Sequence, residues 1–235
     1  MVSRGLVESR SRAKAAIEAG GVTVDGAPAR AASQGVGEDA VIAVVEAHGW
    51  VGRAALKLDH ALALWPVAVE GRVVLDVGAS TGGFTEVCLV RGARRVFAVD
   101  VGQGQLHPRV ADDMRVVNLE KTDARSLDVD LISETPGLIV CDASFIGLAK
   151  VLPAALKLAG PAADLIALVK PQFEMDNRSE VGRGGVVKDA EARMAAVLRV
   201  SNWLEGMGWT VQATAESPIV GGDGNVEHLV WAKKA

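Results

Sequence analysis

The sequence predicts an α/β protein in which a doubly wound, mostly parallel seven-stranded sheet follows a small N-terminal α+β module. Three observations point there. From about residue 70 onward, apolar runs of strand length alternate with segments of helical period. The run Val73, Val74, Leu75 leads straight into DVGASTGG at 76–83, which reads as a buried strand and its tight turn. The last two strands follow one another, so the final one enters an otherwise parallel edge antiparallel, as a hairpin partner.

In chain order, Ser9 is a suitable N-cap for a helix to about residue 19, and Gly20 with Gly21 supplies its stop. Val22, Thr23 and Val24 form a short strand running into an Asp25-Gly26 hairpin turn, and 40–45 is a further strand. Residues 1–47 therefore make the small module, 48–52 (with His48, Gly49 and Trp50) a linker, and 53–235 the main domain. The pattern RAALKLDHALALW from Arg53 is helical, with Leu56, Ala63 and Leu64 as candidates for its buried side. On the residues alone, Lys57 in that helix reads as a snorkelling surface cation. A crossover helix follows at 84–90, and a second buried strand, 96–99, ends in Asp100. A third strand lies at 115–118, ahead of the loop EKTDAR. The strand 138–141 ends in Asp142 and the strand 165–169 in Lys170, so two opposite charges face the crevice of the glycine turn. Residues 175–188 form a polar, glycine-rich loop over that crevice. The helix 190–203 carries an apolar stripe at Met194, Val197 and Leu198, and strands 209–213 and 228–232 close the sheet. The antiparallel last strand brings its first residues, with Glu227, back to the crevice.

With 235 residues, of which 49% are hydrophobic and 23% charged, the chain can bury a sizeable core. Its apolar runs fall short of the roughly 20 residues of a membrane span. The N-terminus has no signal-peptide core, and Cys88 and Cys141 sit in apolar surroundings as reduced residues, so a cytoplasmic location is expected. No metal-ligand spacing is present. The net charge of −4 speaks mildly against a nucleic-acid binder, but Arg4, Arg10, Arg12 and Lys14 concentrate positive charge between residues 4 and 14, against Glu8 alone. That patch suits RNA phosphates, and a solvated helix face would look the same.

A glycine turn followed by a carboxylate at the end of the next strand suits a nucleoside cofactor, with Asp100 accepting from a ribose diol. Nicotinamide binders want G-x-G-x-x-G, whereas Gly78 is followed by Ala79, Ser80 and Thr81 before Gly82 and Gly83. The acid Asp76 two residues before the first glycine favours S-adenosylmethionine, whose amino-acid tail is not anionic like a pyrophosphate. Asp123 is placed to accept from an adenine amino group. Methyl transfer to a hydroxyl needs alignment and a base, and Lys170 beside a second cation would suit that role.

Two resemblances extend this reading. RGLVESRSRAKAAIEAGGVTVDG resembles the small RNA-binding domain named after ribosomal protein S-four, without the Arg-Leu-Asp opening of that family, so a module shortened at its N-terminus is expected. Lys57, Asp142, Lys170 and Glu227 match in order and context the Lys-Asp-Lys-Glu tetrad of FtsJ-like ribose 2′-O-methyltransferases. With LDVGASTGGFTE, AVDVGQGQL, DASFIGL, LVKPQFE and GNVEHL, the whole chain is similar to the TlyA, or hemolysin A, family. The resemblance implies a Rossmann-like methyltransferase acting on ribosomal RNA, free or within ribosomal subunits. It implies Lys170 as proton acceptor, Asp142 and Lys57 as its tuning partners, Glu227 as a positioning residue, and Gly78, Gly82, Asp100 and Asp123 as cofactor contacts. Competing readings are a nicotinamide oxidoreductase, opposed by the absence of Tyr for a Tyr-Lys pair, a pore-forming haemolytic protein, and an RNA-binding protein with a decayed enzyme domain.

Overall fold

The computed structural model describes residues 1–7, 9–18, 22–29, 31–37, 39–44, 49–175 and 185–235, apart from the side chains of Ser11, Arg12, Ala15 and Glu18. The expected helix stop at Gly20 and Gly21, the end of the strand at Val45, His48 of the linker and most of the glycine-rich loop (176–184) lie outside the described residues. The chain divides into two compact units, residues 1–53 and 54–235.

In the first unit a helix, α1 (Arg10–Glu18), precedes the strands β1 (Val22–Val24), β2 (Ala27–Pro28) and β3 (Ile42–Val44). They form one antiparallel sheet in the order β2-β1-β3. The Asp25-Gly26 hairpin turn forms as expected, with φ of 50° and 80° at its two residues. Asp25 Oδ1 also accepts from the Val41 amide at 2.8 Å, which ties the turn to the approach of β3.

The second unit opens with α2 (Ala55–Leu64), and the chain then alternates: β4 (Val73–Val77), α3 (Gly83–Val90), β5 (Arg95–Val99), α4 (Pro108–Ala111), β6 (Val116–Leu119), β7 (Leu138–Cys141), α5 (Leu148–Val151), α6 (Pro153–Leu158), β8 (Asp164–Val169), α7 (Pro171–Glu174), α8 (Ala190–Gly206), β9 (Trp209–Glu216) and β10 (His228–Lys234). The seven strands β4 to β10 form one sheet in the order β6-β5-β4-β7-β8-β10-β9. Strands β4 to β8 pair parallel, and β10 runs antiparallel between β8 and β9. Strand order reverses at β4, whose neighbours are β5 and β7, so the ligand crevice of such a sheet lies beyond their carboxyl ends. The central strands are buried on both faces, as their unbroken apolar runs require: Leu75, Phe97, Ile139 and Leu165 are fully covered.

Two helix faces differ from expectation. On α2 the buried residues are Ala55, Lys57, Leu58, Ala61 and Leu62, while Ala63 and Leu64 are exposed and Leu56 half-buried. The buried face carries Lys57, and the large apolar Leu64 lies on the face turned to solvent. On α8 the core side is Ala196, Val197, Val200 and Leu204; Met194 and Leu198 are 52% and 61% exposed. Both stripes share Val197, and the Ala196/Val200 arc, poorer in large side chains, is the one that packs on the sheet. The short helices α4 to α7 have too few residues to declare a period.

Candidate active site

The turn after β4 continues the sheet ladder before it curls: the amides of Gly78 and Ala79 both donate to Val99 O, at 2.9 and 3.0 Å. Gly78, Ser80 and Gly82 then take left-handed conformations (φ 84°, 48° and 92°). Glycine is required at 78, because a Cβ there would lie 2.9 Å from Ala143 Cα at the end of β7. Gly83 begins α3.

Asp100 accepts from the Ser80 amide at 2.8 Å and the Gly102 amide at 2.7 Å, so it stitches the glycine turn to the loop after β5. Glu120, to which the sequence reading assigned no individual role, accepts from the amides of Gly104, Gln105 and Leu106 at 2.9, 2.6 and 3.1 Å. It holds the GQGQL loop, and those backbone donors keep its carboxyl below the usual range. Asp123 sits nearby but is engaged: Arg125 grips it through its backbone amide at 2.9 Å and its guanidinium at 2.5–3.0 Å. Those bonds lower its pKa to about 2. An adenine amino group would share this carboxylate with Arg125.

Asp76 has no exposed surface. Its Oδ2 accepts from Thr85 Oγ1 at 2.6 Å, and Oδ1 has no hydrogen-bond partner. Burial raises its pKa to about 7, against an opposing contribution from the Thr85 hydrogen bond. The folded state thus holds this proton more tightly than the unfolded chain, where the value is near 3.8. The stability Asp76 contributes is present below pH 4 and is lost as pH rises through about 7. Thermal unfolding of cofactor-free protein at pH 5 and pH 8 is expected to show a smaller loss in Asp76→Asn than in the parent.

At the other side of the glycine turn, four charged residues from four elements meet. Lys57 Nζ on α2 lies 2.6 Å from Glu227 Oε2 and 3.1 Å from Asp142 Oδ2. Lys170 Nζ lies 2.7 Å from Asp142 Oδ1, 2.7 Å from Ser144 Oγ and 3.1 Å from Asp142 O. Asp142, just past β7, therefore bridges the two lysines, one on each oxygen. The register of β10 on β8, His228 opposite Val169, delivers Glu227 to this cluster. Lys57 and Lys170 are each only 5% exposed and Glu227 3%, so Lys57 is a buried ion-paired residue and not a snorkelling one. Burial alone would lower the pKa of Lys57, but the charges of Asp142 and Glu227 and their hydrogen bonds outweigh it and leave it raised. Lys57 is a permanent cation beside Lys170.

Two residues here escaped the sequence reading. Ser144 touches Lys170, as above. Phe145 is 87% exposed in a left-handed conformation (φ 67°), with its ring centroid 5.5 Å from that of Phe173 on α7. Their signal was the SFIG that follows Asp142 and the PQFE that follows Lys170.

Of the cations of the first unit, Arg4 donates to Ala40 O at 2.6 Å and Gly37 O at 2.8 Å, so it braces a loop of that unit. Arg10 and Lys14 lie on α1 and are exposed; the Arg12 side chain lies outside the described residues.

The acids at the glycine turn suit a ligand that carries a positive group. Asp76 offers a buried oxygen without partner, and a pyrophosphate would face both Asp76 and Asp100. No helix among the described residues is long and apolar enough to cross a membrane.

Residues 50–234 match the FtsJ-like methyltransferase family and residues 1–42 the S4 domain. The chain is 46% identical to the 16S/23S rRNA (cytidine-2′-O)-methyltransferase TlyA of Mycobacterium tuberculosis, over 99% of this chain and 87% of that protein. It is 36% identical to Hemolysin A of Brachyspira hyodysenteriae, over 97% of this chain and 95% of that protein. A solved structure from Streptococcus thermophilus superposes with a TM-score of 0.81 at 35% identity, covering 99% of this chain and 86% of that one. An S-adenosylmethionine-dependent methyltransferase from Mesorhizobium loti, 16% identical, shares the fold over 76% of this chain and 98% of its own, with a TM-score of 0.56. The chain is an S-adenosylmethionine-dependent methyltransferase of the TlyA (hemolysin A) family, in which an FtsJ-like domain follows an S4 domain.

Proposed function

We propose that this protein methylates a ribose 2′-hydroxyl of ribosomal RNA, with Lys170 as the base. The observation that carries the reading is the bridge Glu227–Lys57–Asp142–Lys170 at the carboxyl ends of the strands beside the glycine turn. S-adenosylmethionine supplies an electrophilic methyl group when bound. Asp76, Gly78, Ser80, Gly82, Gly83, Asp100 and Asp123 are the residues that would hold it, in a groove whose acids suit a cationic tail.

The chain's own residues do the remainder. Asp142 fixes Nζ of Lys170 at 2.7 Å, so the amine is aimed before the acceptor arrives. Lys57 stays cationic between Glu227 and Asp142, so one oxygen of Asp142 is committed to Lys57 and the other is left to orient Lys170. Glu227 keeps Lys57 in place. Phe145 and Phe173 offer an exposed aromatic surface on which an unstacked base can rest.

Two tests address the two ligands. Gly78→Ala, which forces a Cβ to within 2.9 Å of Ala143 Cα at φ 84°, is expected to weaken S-adenosylmethionine at least about tenfold by calorimetry, the equivalent of ~1.4 kcal/mol. Unchanged affinity would remove the turn from the cofactor site. The double variant Arg10→Ala/Lys14→Ala is expected to lower ribosomal RNA affinity and reduce the salt slope by about 2, one unit for each lost phosphate contact. An unaltered slope would make the patch a solvated helix face.

A further inference from the structure

Lys170 Nζ is surrounded by three oxygens: Asp142 Oδ1 at 2.7 Å, Asp142 O at 3.1 Å and Ser144 Oγ at 2.7 Å. An ammonium carries three hydrogens, so these partners account for all of them. A neutral amine keeps two hydrogens and presents a lone pair. The carboxylate oxygen and the backbone carbonyl of Asp142 can only accept, so they retain the two N–H bonds. The Ser144 hydroxyl alone among the three can turn from accepting to donating. In the neutral amine that a base must be, the lone pair of Lys170 is therefore the position left for Ser144.

Accessibility runs the same way. Lys170 is 5% exposed, whereas Ser144 is an exposed residue. Of this pair, Ser144 is the residue open to an incoming hydroxyl. Phe145, next in the chain and 87% exposed, puts the aromatic surface beside it.

We propose that Ser144 is a further catalytic residue: its hydroxyl receives the proton of the acceptor hydroxyl and hands its own proton to Lys170 Nζ. The inference rests on Lys170 being the base. In the step, the acceptor O–H bond breaks and the oxygen forms its bond to the methyl carbon as the methyl–sulfur bond breaks, the electron pair of that bond staying on sulfur. The acceptor proton passes to Ser144 Oγ, the original Ser144 proton passes to Nζ, and Lys170 leaves the step as ammonium. Ser144 is regenerated unchanged.

The test compares the parent, Ser144→Ala, Ser144→Thr and Lys170→Ala in single-turnover methylation of ribosomal RNA at saturating S-adenosylmethionine, with cofactor dissociation constants by calorimetry. Ser144→Ala is expected to slow transfer about 10²-fold, the lower end for a proton-transfer group, with cofactor affinity within about twofold of the parent, and Ser144→Thr to restore most of the rate. A readout independent of turnover is the side-chain nitrogen resonance of Lys170 in the cofactor-free protein, identified by its loss in Lys170→Ala. It is expected to move in Ser144→Ala and to stay in Ser144→Thr. Ser144→Ala at the parental rate, with Lys170→Ala inactive, overturns the role of Ser144 and leaves Lys170 standing. Slow transfer in both Ser144 variants with weakened cofactor makes residue 144 structural and overturns the relay. Parental activity in Lys170→Ala overturns the base itself and the relay with it.

Discussion

Lys170→Ala is expected to lower the methyl-transfer rate about 10²- to 10⁴-fold, the range for losing a general base, with cofactor affinity unchanged. The expectation follows from placement. Lys170 directly follows β8, is 5% exposed, and makes its polar contacts to Asp142 and Ser144, on the β7 side of the glycine turn. The turn itself is held by other bonds, Gly78 and Ala79 to Val99 and Ser80 to Asp100, so removing the amine leaves the cofactor groove standing. Single-turnover rates and calorimetry on the same preparation separate the two effects. A rate within a few fold of the parent would place the base elsewhere.

Lys57→Met is expected to cost about 3–5 kcal/mol, because it leaves Glu227 buried beside no cation in the 2.6 Å pair. For a chain of this size that is a fall in Tm on the order of 10 °C. Glu227 is 3% exposed and cannot recover its hydration. The double variant Lys57→Met/Glu227→Leu replaces both charges by apolar groups and is expected to regain much of the stability while remaining a poor enzyme. Thermal unfolding of the single and double variants, with activity assayed alongside, checks both halves. If the double variant were as active as the parent, the buried pair would serve only the fold.

Much of this arrangement was legible in the residues, for reasons that differ from element to element. The buried strands announce themselves because both faces are covered: VVLDV, RVFAV, LIVC and DLIALV leave no polar alternation to misread. The antiparallel last strand followed from two consecutive strands at the end of the chain, and with it the return of Glu227 to the crevice. Lys57 was not legible by period. A cation on an apolar helix suggests a face turned to water, and only the partners Asp142 and Glu227, 85 and 170 residues away, explain its burial. Tertiary pairing overrode amphipathicity there. Arg4 shows the converse: local charge suggests RNA, and its guanidinium also donates to the carbonyls of Gly37 and Ala40, which charge counting does not see. Asp123 reads as a free acceptor until Arg125, two residues on, is seen to turn back on it. Ser144 and Phe145 carry no periodic signal, since they lie in a turn whose meaning comes from Lys170 and Phe173 opposite.

The decisive measurement is to incubate the protein with ribosomal RNA and methyl-labelled S-adenosylmethionine, digest the RNA to nucleosides, and locate the label by mass spectrometry. Ribose 2′-O-methylation with Lys170 as the base puts label on the ribose of a 2′-O-methyl nucleoside, and none with Lys170→Ala. Label on a base, or equal labelling by Lys170→Ala, would contradict it.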